Sequence, residues 1–516
     1  MTQSNPKTGA ADVAAADLTL EEKASLTSGA DFWTTKAIDR VGLPPLMMTD
    51  GPHGLRKQAE GNDHLGLADS VPATCFPPAV ALGSSFDPEL AERVGVALGV
   101  ESAANDVAVI LGPGINIKRS PLCGRNFEYF SEDPIVSGVM GAGLIRGIQS
   151  QGVGASLKHF AANNQEFDRM RASSDIDPRP LREIYLRGFE RAVTQAQPWT
   201  VMCSYNRING TYASENPWLL RDVLKDEWGF EGLFMTDWGG MNDRATAIPA
   251  GTDLEMPPVG QFGVRRILKG VRSGAITEND LNRAVGNLLE LIAKLRGERE
   301  TSKTWQTTDF ETVSKKLALG SAVLLKNEQE LLPLPANADA AVIGMLAEKP
   351  HYQGAGSSLV NPLRAVSFLD ALREENLGWE YARGYTLGAR QDPHLAEEAV
   401  ELAQRKGLVL FFAGLRDIDE AESYDRLHMD LPAAQNSLIE KITSVNQNVV
   451  VVLQSGSPVR LPWLAKVKAV LLVGLAGQMT GAASLDLLLG RANPCGKLAE
   501  RWAFAAEDAP SHSKFG

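Results

Sequence analysis

Two stretches of this sequence share one grammar. Residues 45–51, PLMMTDG, and residues 233–240, LFMTDWGG, each carry an apolar run through Met-Thr into an aspartate and then into a glycine-containing turn. Asp50 and Asp237 therefore stand where buried strands would end. Lys118, Lys158 with His159, and Tyr205 close other apolar runs in the same way. A single aspartate at a strand end is commonly a helix cap or turn residue; five such positions in register point to a site. Further on, residues 417–432, DIDEAESYDRLHMDLP, follow the apolar run LVLFFAG and place Asp417, Asp419, Glu420, Glu422 and Asp425 within nine residues. A solvated acidic face would look similar, but loops after α/β strands are also where ligands bind in open sheets.

One chemistry joins Asp237 to that loop. Glycosidic bond cleavage needs two carboxyl groups flanking the bond, one ionised and one protonated. Asp237, among donors such as Lys158, His159 and nearby arginines, is expected to keep a low pKa and act as nucleophile. A glutamate crowded by acids and partly desolvated is expected to have a raised pKa and act as general acid. Trp238 offers an indole face to a sugar ring, or else anchors the core. The turn-rich loop 112–134 adds Lys118, Arg119, Arg125 and Glu128, and arginine's paired donors suit vicinal hydroxyls or a carboxylate. No GxxxxGK[ST] or GxGxxG stands at a strand-to-helix junction, so a nucleotide site is not expected.

The elements that must hold these groups alternate. Strand-like runs at 43–50, 79–83, 106–114, 152–160, 199–206, 232–237 and 250–256 are separated by helical patterns. Asp87-Pro88 and Asn216-Pro217 each set an N-cap residue before a proline suited to the first helical turn. Such alternation predicts parallel strands covered by helices, fitting a closed barrel better than an open doubly wound sheet, with the catalytic face at the C-terminal strand ends. A second α/β pattern has strands at 322–327, 340–345, 407–414, 448–456 and 468–475. The expected domains are 1–297 (barrel), 298–312 (polar linker), 313–505 (second α/β domain) and 506–516 (polar tail).

Length and composition agree. A chain of 516 residues calls for two or three domains. Its net charge of −12 argues against nucleic acid or an anionic membrane as partner. The charge suits a small neutral molecule as partner, and a homo-oligomer is possible. Four scattered cysteines with no CxxC pair resemble neither a zinc site nor a disulfide framework, so no metal and no cofactor are expected. Reduced thiols, no secretory leader and no run of roughly 18 apolar residues suggest a cytoplasmic, non-membrane protein.

Read together, MTDGPHGLR (48–56), INIKRSPLCGRNFEYFSEDP (115–134), KHFAANNQE (158–166), MCSYNRING (202–210), FMTDWGG (234–240), GAGSS (354–358), ESYDRLHMDLP (422–432) and NPCGKLAE (493–500) resemble the family 3 glycoside hydrolases, particularly their β-glucosidases. The resemblance spans about residues 18–505. It implies a (β/α)8-type barrel followed by an α/β sandwich, with the site between them, and a retaining mechanism through a covalent glycosyl-enzyme. It also implies Asp237 as nucleophile and Glu422 as acid/base, ahead of the competing Glu420. Asp50, Arg125, Lys158, His159 and Tyr205 match positions holding the sugar in the −1 subsite, Trp238 an aromatic bordering it, and Arg244 a further contact. Glu166 reads as orienting His159. The sequence departs from the pattern at Ser423, where the family commonly has glycine, and it stops where many relatives continue into a fibronectin-type III domain, as either a two-domain member or a truncated form would.

The resulting expectation is an exo-acting β-glucosidase, its partner a small β-glucoside or oligosaccharide. A β-xylosidase or a broad glucosidase/xylosidase/arabinosidase is the alternative, although a pocket built around Asp50 should favour a sugar with a C6 hydroxymethyl group. A non-catalytic sugar binder and an aldolase-type barrel using Lys158 as a Schiff-base amine fit less well.

Overall fold

The computed structural model describes residues 13–58, 70–296, 305–335, 337–388 and 392–514. In the first domain, β1 (Met48–Asp50), β2 (Val109–Leu111), β3 (Gly154–Phe160), β4 (Thr200–Cys203) and β5 (Leu233–Met235) pair in parallel in that order. They are buried on both faces, which explains their near-continuous apolar character. Met48, Val109, Leu111, Met202, Leu233 and Met235 point to one core, while Ile110, Val201 and Phe234 point to another beneath the helices. The same period-two alternation aims Asp50 and Lys158 inward at the strand ends.

Among the described residues, five of the seven strand-like runs of the first domain form regular strands of this ring. Irregular segments complete it: Leu254 bridges Met235, Glu255 bridges Ser28, and Thr34 bridges Met47 beside β1. The expected strand at 79–83 is instead part of helix Ala79–Ser85. Pro77 and Pro78 lead into a run of small residues, and proline just ahead of a helix restricts the chain without removing a needed donor. The caps read from the sequence are present. Asp87 accepts from the Leu90 amide (2.9 Å), opening helix Pro88–Ala104, and Asn216 accepts from the Leu219 amide (3.1 Å).

The second domain has one six-stranded sheet. Its strands are β6 (Val323–Asn327), β7 (Ala341–Ile343), β8 (Glu380–Ala382), β9 (Val409–Gly414), β10 (Val449–Gln454) and β11 (Ala469–Leu472). They lie in the order β8-β7-β9-β10-β11-β6, with only β6 antiparallel. The short β8 was not evident in the sequence pattern. The expected linker is only partly open to inspection, since 298–304 lies outside the described residues. Its second half is a correction: Thr307–Ser321 is a helix. Phe310, Val313 and Leu317, at helical spacing, pack on the barrel core, while Ala318 joins the core of the second domain.

Candidate active site

A cleft of about 520 Å³ opens where the barrel mouth meets the loops of the second domain, a volume suited to a small ligand. Asp50, Arg125, Lys158, His159, Tyr205, Asp237, Trp238 and Glu422 all line it. Glu420, Glu166 and Arg244 do not.

On the barrel wall, Asp237 follows the end of β5 after one intervening residue, Thr236. Its Oδ1 accepts from the Tyr205 hydroxyl (3.0 Å) and from the Trp238 amide (2.7 Å), while its own amide meets the Cys203 sulfur (3.3 Å). Oδ2 carries neither bond and lies 3.7 Å from His159 Nε2. Its hydrogen-bond donors are therefore Tyr205 and a backbone N–H, not the Lys158 and His159 side chains. Burial pushes the Asp237 carboxyl above the ordinary aspartate range, against the pull of Arg125, Arg169 and Lys158. That corrects the expectation of a low value: desolvation outweighs cations that stand off.

Glu128 organises the cations. Arg125 donates to both of its oxygens (2.9 and 3.0 Å), and Lys158 Nζ lies 3.3 Å away. Burial favours its neutral form, but Arg125 and Lys158 hold Glu128 below the usual range. Burial, with Arg125, Lys158 and Arg169 nearby, holds His159 well below the ordinary imidazole value, so the ring is neutral. Asn116 clamps the His159 backbone through its N–H and C=O (2.9 Å each), and Tyr129 Oη reaches Nδ1 (3.3 Å). Asn116 and Tyr129 thus orient this histidine. The expected orienting residue, Glu166, instead accepts from Arg169 (2.7 Å) and the Ser423 amide (2.8 Å).

Burial raises the Asp50 carboxyl to about 7 in spite of Lys158 and of Arg56, whose Nη1 is 3.6 Å away. Trp238 donates its indole N–H to the Phe32 carbonyl (2.8 Å) and sits 5.4 Å from the Trp33 ring, so an aromatic cluster holds that edge. Arg244 is buried against Glu255, behind the cleft, and makes no contribution to its lining.

On the opposite wall, Glu422 accepts from the Ser357 amide (2.9 Å) and from Arg169 Nη2 (2.8 Å), with Arg125 Nη1 at 3.7 Å. Burial opposes charge here, but Arg125, Arg169 and the Ser357 amide win, holding its carboxyl far below the usual glutamate range. The expected raised value is therefore reversed, because its close neighbours are arginines and not the loop's other acids. Ser423 holds φ +78°, the left-handed conformation natural to glycine, so the loop keeps that geometry despite the side chain. Gly356 is required nearby: a Cβ there would lie 2.5 Å from the Glu422 Cβ. Glu420 is fully buried on the far side of the backbone, against His351 and Ser457.

Asp425 fastens the walls together, accepting from the barrel-loop amides of Gly124, Glu166 and Phe167. Lys118 belongs to this joint and not to the cleft, pairing with Glu500 at 2.7 Å. The last turns of the chain also return to the barrel, through the Ser511 hydroxyl on the Arg119 carbonyl. Sequence reasoning missed Arg169, Asn116, Tyr129 and Phe32-Trp33. Arg169 was within reach, three residues beyond Glu166 in NQEFDRM.

Two carboxylates facing each other across a cleft floored by Asp50, Arg125 and Lys158 are the equipment of a glycosidase. The chain belongs to glycosyl hydrolase family 3: residues 20–291 match its N-terminal domain and residues 322–515 its C-terminal domain. Over 96% of its length it is 49% identical to thermostable β-glucosidase B of Acetivibrio thermocellus, covering 66% of that protein. It is 48% identical, over 96% of its length and 67% of the relative's, to an exo-α-(1→6)-L-arabinopyranosidase of Bifidobacterium breve. A crystal structure of a β-glucosidase of this family from Bifidobacterium adolescentis superposes with a TM-score of 0.91 at 47% identity, covering 96% of this chain and 72% of that one. β-Glucosidase 3B of Thermotoga neapolitana in complex with glucose gives 0.87 at 34% identity, covering 97% and 77%. The chain thus spans about two thirds of the length of the Acetivibrio thermocellus and Bifidobacterium breve relatives.

Proposed function

We propose that this protein is a retaining, exo-acting β-glucosidase that removes terminal non-reducing β-D-glucosyl residues from short glucosides. The observation that carries the reading is the placement of Asp237 and Glu422 on opposite walls of one cleft, with sugar-binding polar groups below them. Asp237 Oδ1 is tied by two donors, which leaves Oδ2 to attack the anomeric carbon. That bond forms as the bond to the leaving oxygen breaks, and Glu422 protonates that oxygen. Glu422 then takes a proton from water, which attacks the same carbon and frees Asp237.

Arg125 and Arg169 hold Glu422 ionised, and it takes up its proton as substrate excludes water and parts it from Arg169. At low pH, protonation of Asp237 removes the nucleophile and activity falls. Asp50, Arg125, Lys158, His159 and Tyr205 hold the sugar, and Trp238 covers one of its faces. Glu166 acts from outside the cleft by anchoring Arg169. A cytoplasmic setting belongs to the same proposal, supported by four unpaired cysteines, three of them buried. No helix among the described residues is long and apolar enough to cross a membrane.

A second reading, action on pentopyranosides, is favoured by the similarity to the arabinopyranosidase. A panel of p-nitrophenyl β-glucoside, β-xyloside, α-L-arabinopyranoside and β-N-acetylglucosaminide separates them. Fastest release from the β-glucoside, with β-glucose as first product by NMR, is the expected result. Preference for a pentoside would replace the substrate assignment, and an α-glucose product would exclude retention.

A further inference from the structure

In the second domain the chain runs from β7 out to β8 and returns across the sheet to β9. The crevice between the C-terminal ends of β7 and β9 is therefore a topological switch point, where doubly wound sheets place a ligand. Here protein side chains fill it. His351, 3% exposed, puts Nδ1 3.0 Å from Asp417 Oδ1 and Nε2 2.8 Å from Glu420 Oε2. With a carboxylate at each nitrogen, only the doubly protonated ring donates to both. The Gly456 amide (3.1 Å) and the Ser457 hydroxyl (2.8 Å) complete the shell of Glu420.

This cluster sits one step from the cleft. The Glu420 carbonyl accepts from the Ala355 amide (2.9 Å), and the Glu422 amide donates to the Ala355 carbonyl (3.2 Å). The Ser357 amide, two residues on, holds the Glu422 carboxylate. We propose that His351 is a positioning residue: as an imidazolium latched between Asp417 and Glu420, it fixes the backbone that aims Glu422 at the leaving group. The inference rests on the glycosidase reading for its catalytic consequence, but the latch itself is testable without activity.

The other charged groups around the cluster are Arg426 and the Lys118–Glu500 pair, which face Glu420, and the Arg416–Asp419 pair in the same loop. Although burial opposes charge on His351, its bonds to Asp417 and Glu420 raise it to about 9. Its stabilisation is therefore complete below the ordinary imidazole value and is lost as pH rises through about 9. The Asp417 side chain is 85% exposed, which gives solvent a route to the ring.

The test compares wild type with His351→Gln and Asp417→Asn, using hydrogen exchange of residues 417–424 and kinetics on two β-glucosides, one with a good and one with a poor leaving group. In His351→Gln we expect faster exchange in that segment alone. Turnover should fall about 10–100-fold on the poor leaving group, a part of what a general acid supplies, and less than about 3-fold on the activated one, with KM little changed. Asp417→Asn should lower the pH at which wild-type exchange in this segment begins to rise. If His351→Gln does not fold, the wild-type pH series and Asp417→Asn still decide. Unchanged exchange and unchanged leaving-group dependence in a folded His351→Gln would overturn the latch. An inactive wild type that shows the exchange effects would overturn the glycosidase reading and leave the latch standing.

Discussion

The two walls of the cleft are built by different means. On the barrel wall, Asp50, Lys158 and Asp237 stand at the ends of β1, β3 and β5, and the sheet itself aims them. On the other wall, Glu422 stands on an irregular loop held by contacts from other segments: the Arg169 side chain from the barrel, the Ser357 amide beside it, and the His351 cluster behind it. A strand end tolerates changes in neighbouring side chains because backbone ladders fix it. A loop held by ion pairs does not, so substitutions remote from the cleft should disturb Glu422 more than Asp237.

Three experiments can break or sharpen that contrast. The largest effect belongs to the barrel wall. Asp237→Ala should cost on the order of 10⁴-fold or more in turnover, the scale seen when a nucleophile is removed, with the thermal transition essentially unmoved. Near-normal turnover in a folded variant would remove Asp237 from the mechanism. Next comes the loop wall. Glu422→Ala should lose about 10²–10⁴-fold on poor leaving groups and far less on activated ones, with azide restoring activity by attacking the glycosyl-enzyme. Equal losses on both classes would assign Glu422 some other duty. The smallest effect lies between the walls. Arg169→Gln removes a cation 2.8 Å from Glu422, which raises the Glu422 pKa and should move the alkaline limb of the pH profile upward. A limb that stays in place would show that Arg169 has no hold on the protonation of Glu422.

The same contrast explains what could be read without coordinates. LFMTDWGG gave up Asp237 because an apolar strand ending in a carboxylate leaves a linear trace. KHFAANNQE did the same for Lys158 and His159. The acidic loop's motif pointed to Glu422, the glutamate that lines the cleft, but local crowding suggested the wrong charge state, since Arg125 and Arg169 approach from elsewhere in the chain. Asn116 clamps His159 from 43 residues away, a distance no local pattern encodes. Residues 79–83 have the apolar content of a strand and the small side chains of a helix, and the prolines before them decide. In 307–317 a helical period was present, but the polar residues around it masked Phe310, Val313 and Leu317.

That helix carries one further consequence. Leu317 and Ala318 are adjacent in the chain, yet one belongs to the barrel core and the other to the core of the second domain. Unravelling either domain strips a turn of helix that the other needs, so heat should not melt them in sequence. In calorimetry the molecule should lose both cores in one cooperative peak, with the cleft surviving until the whole chain gives way.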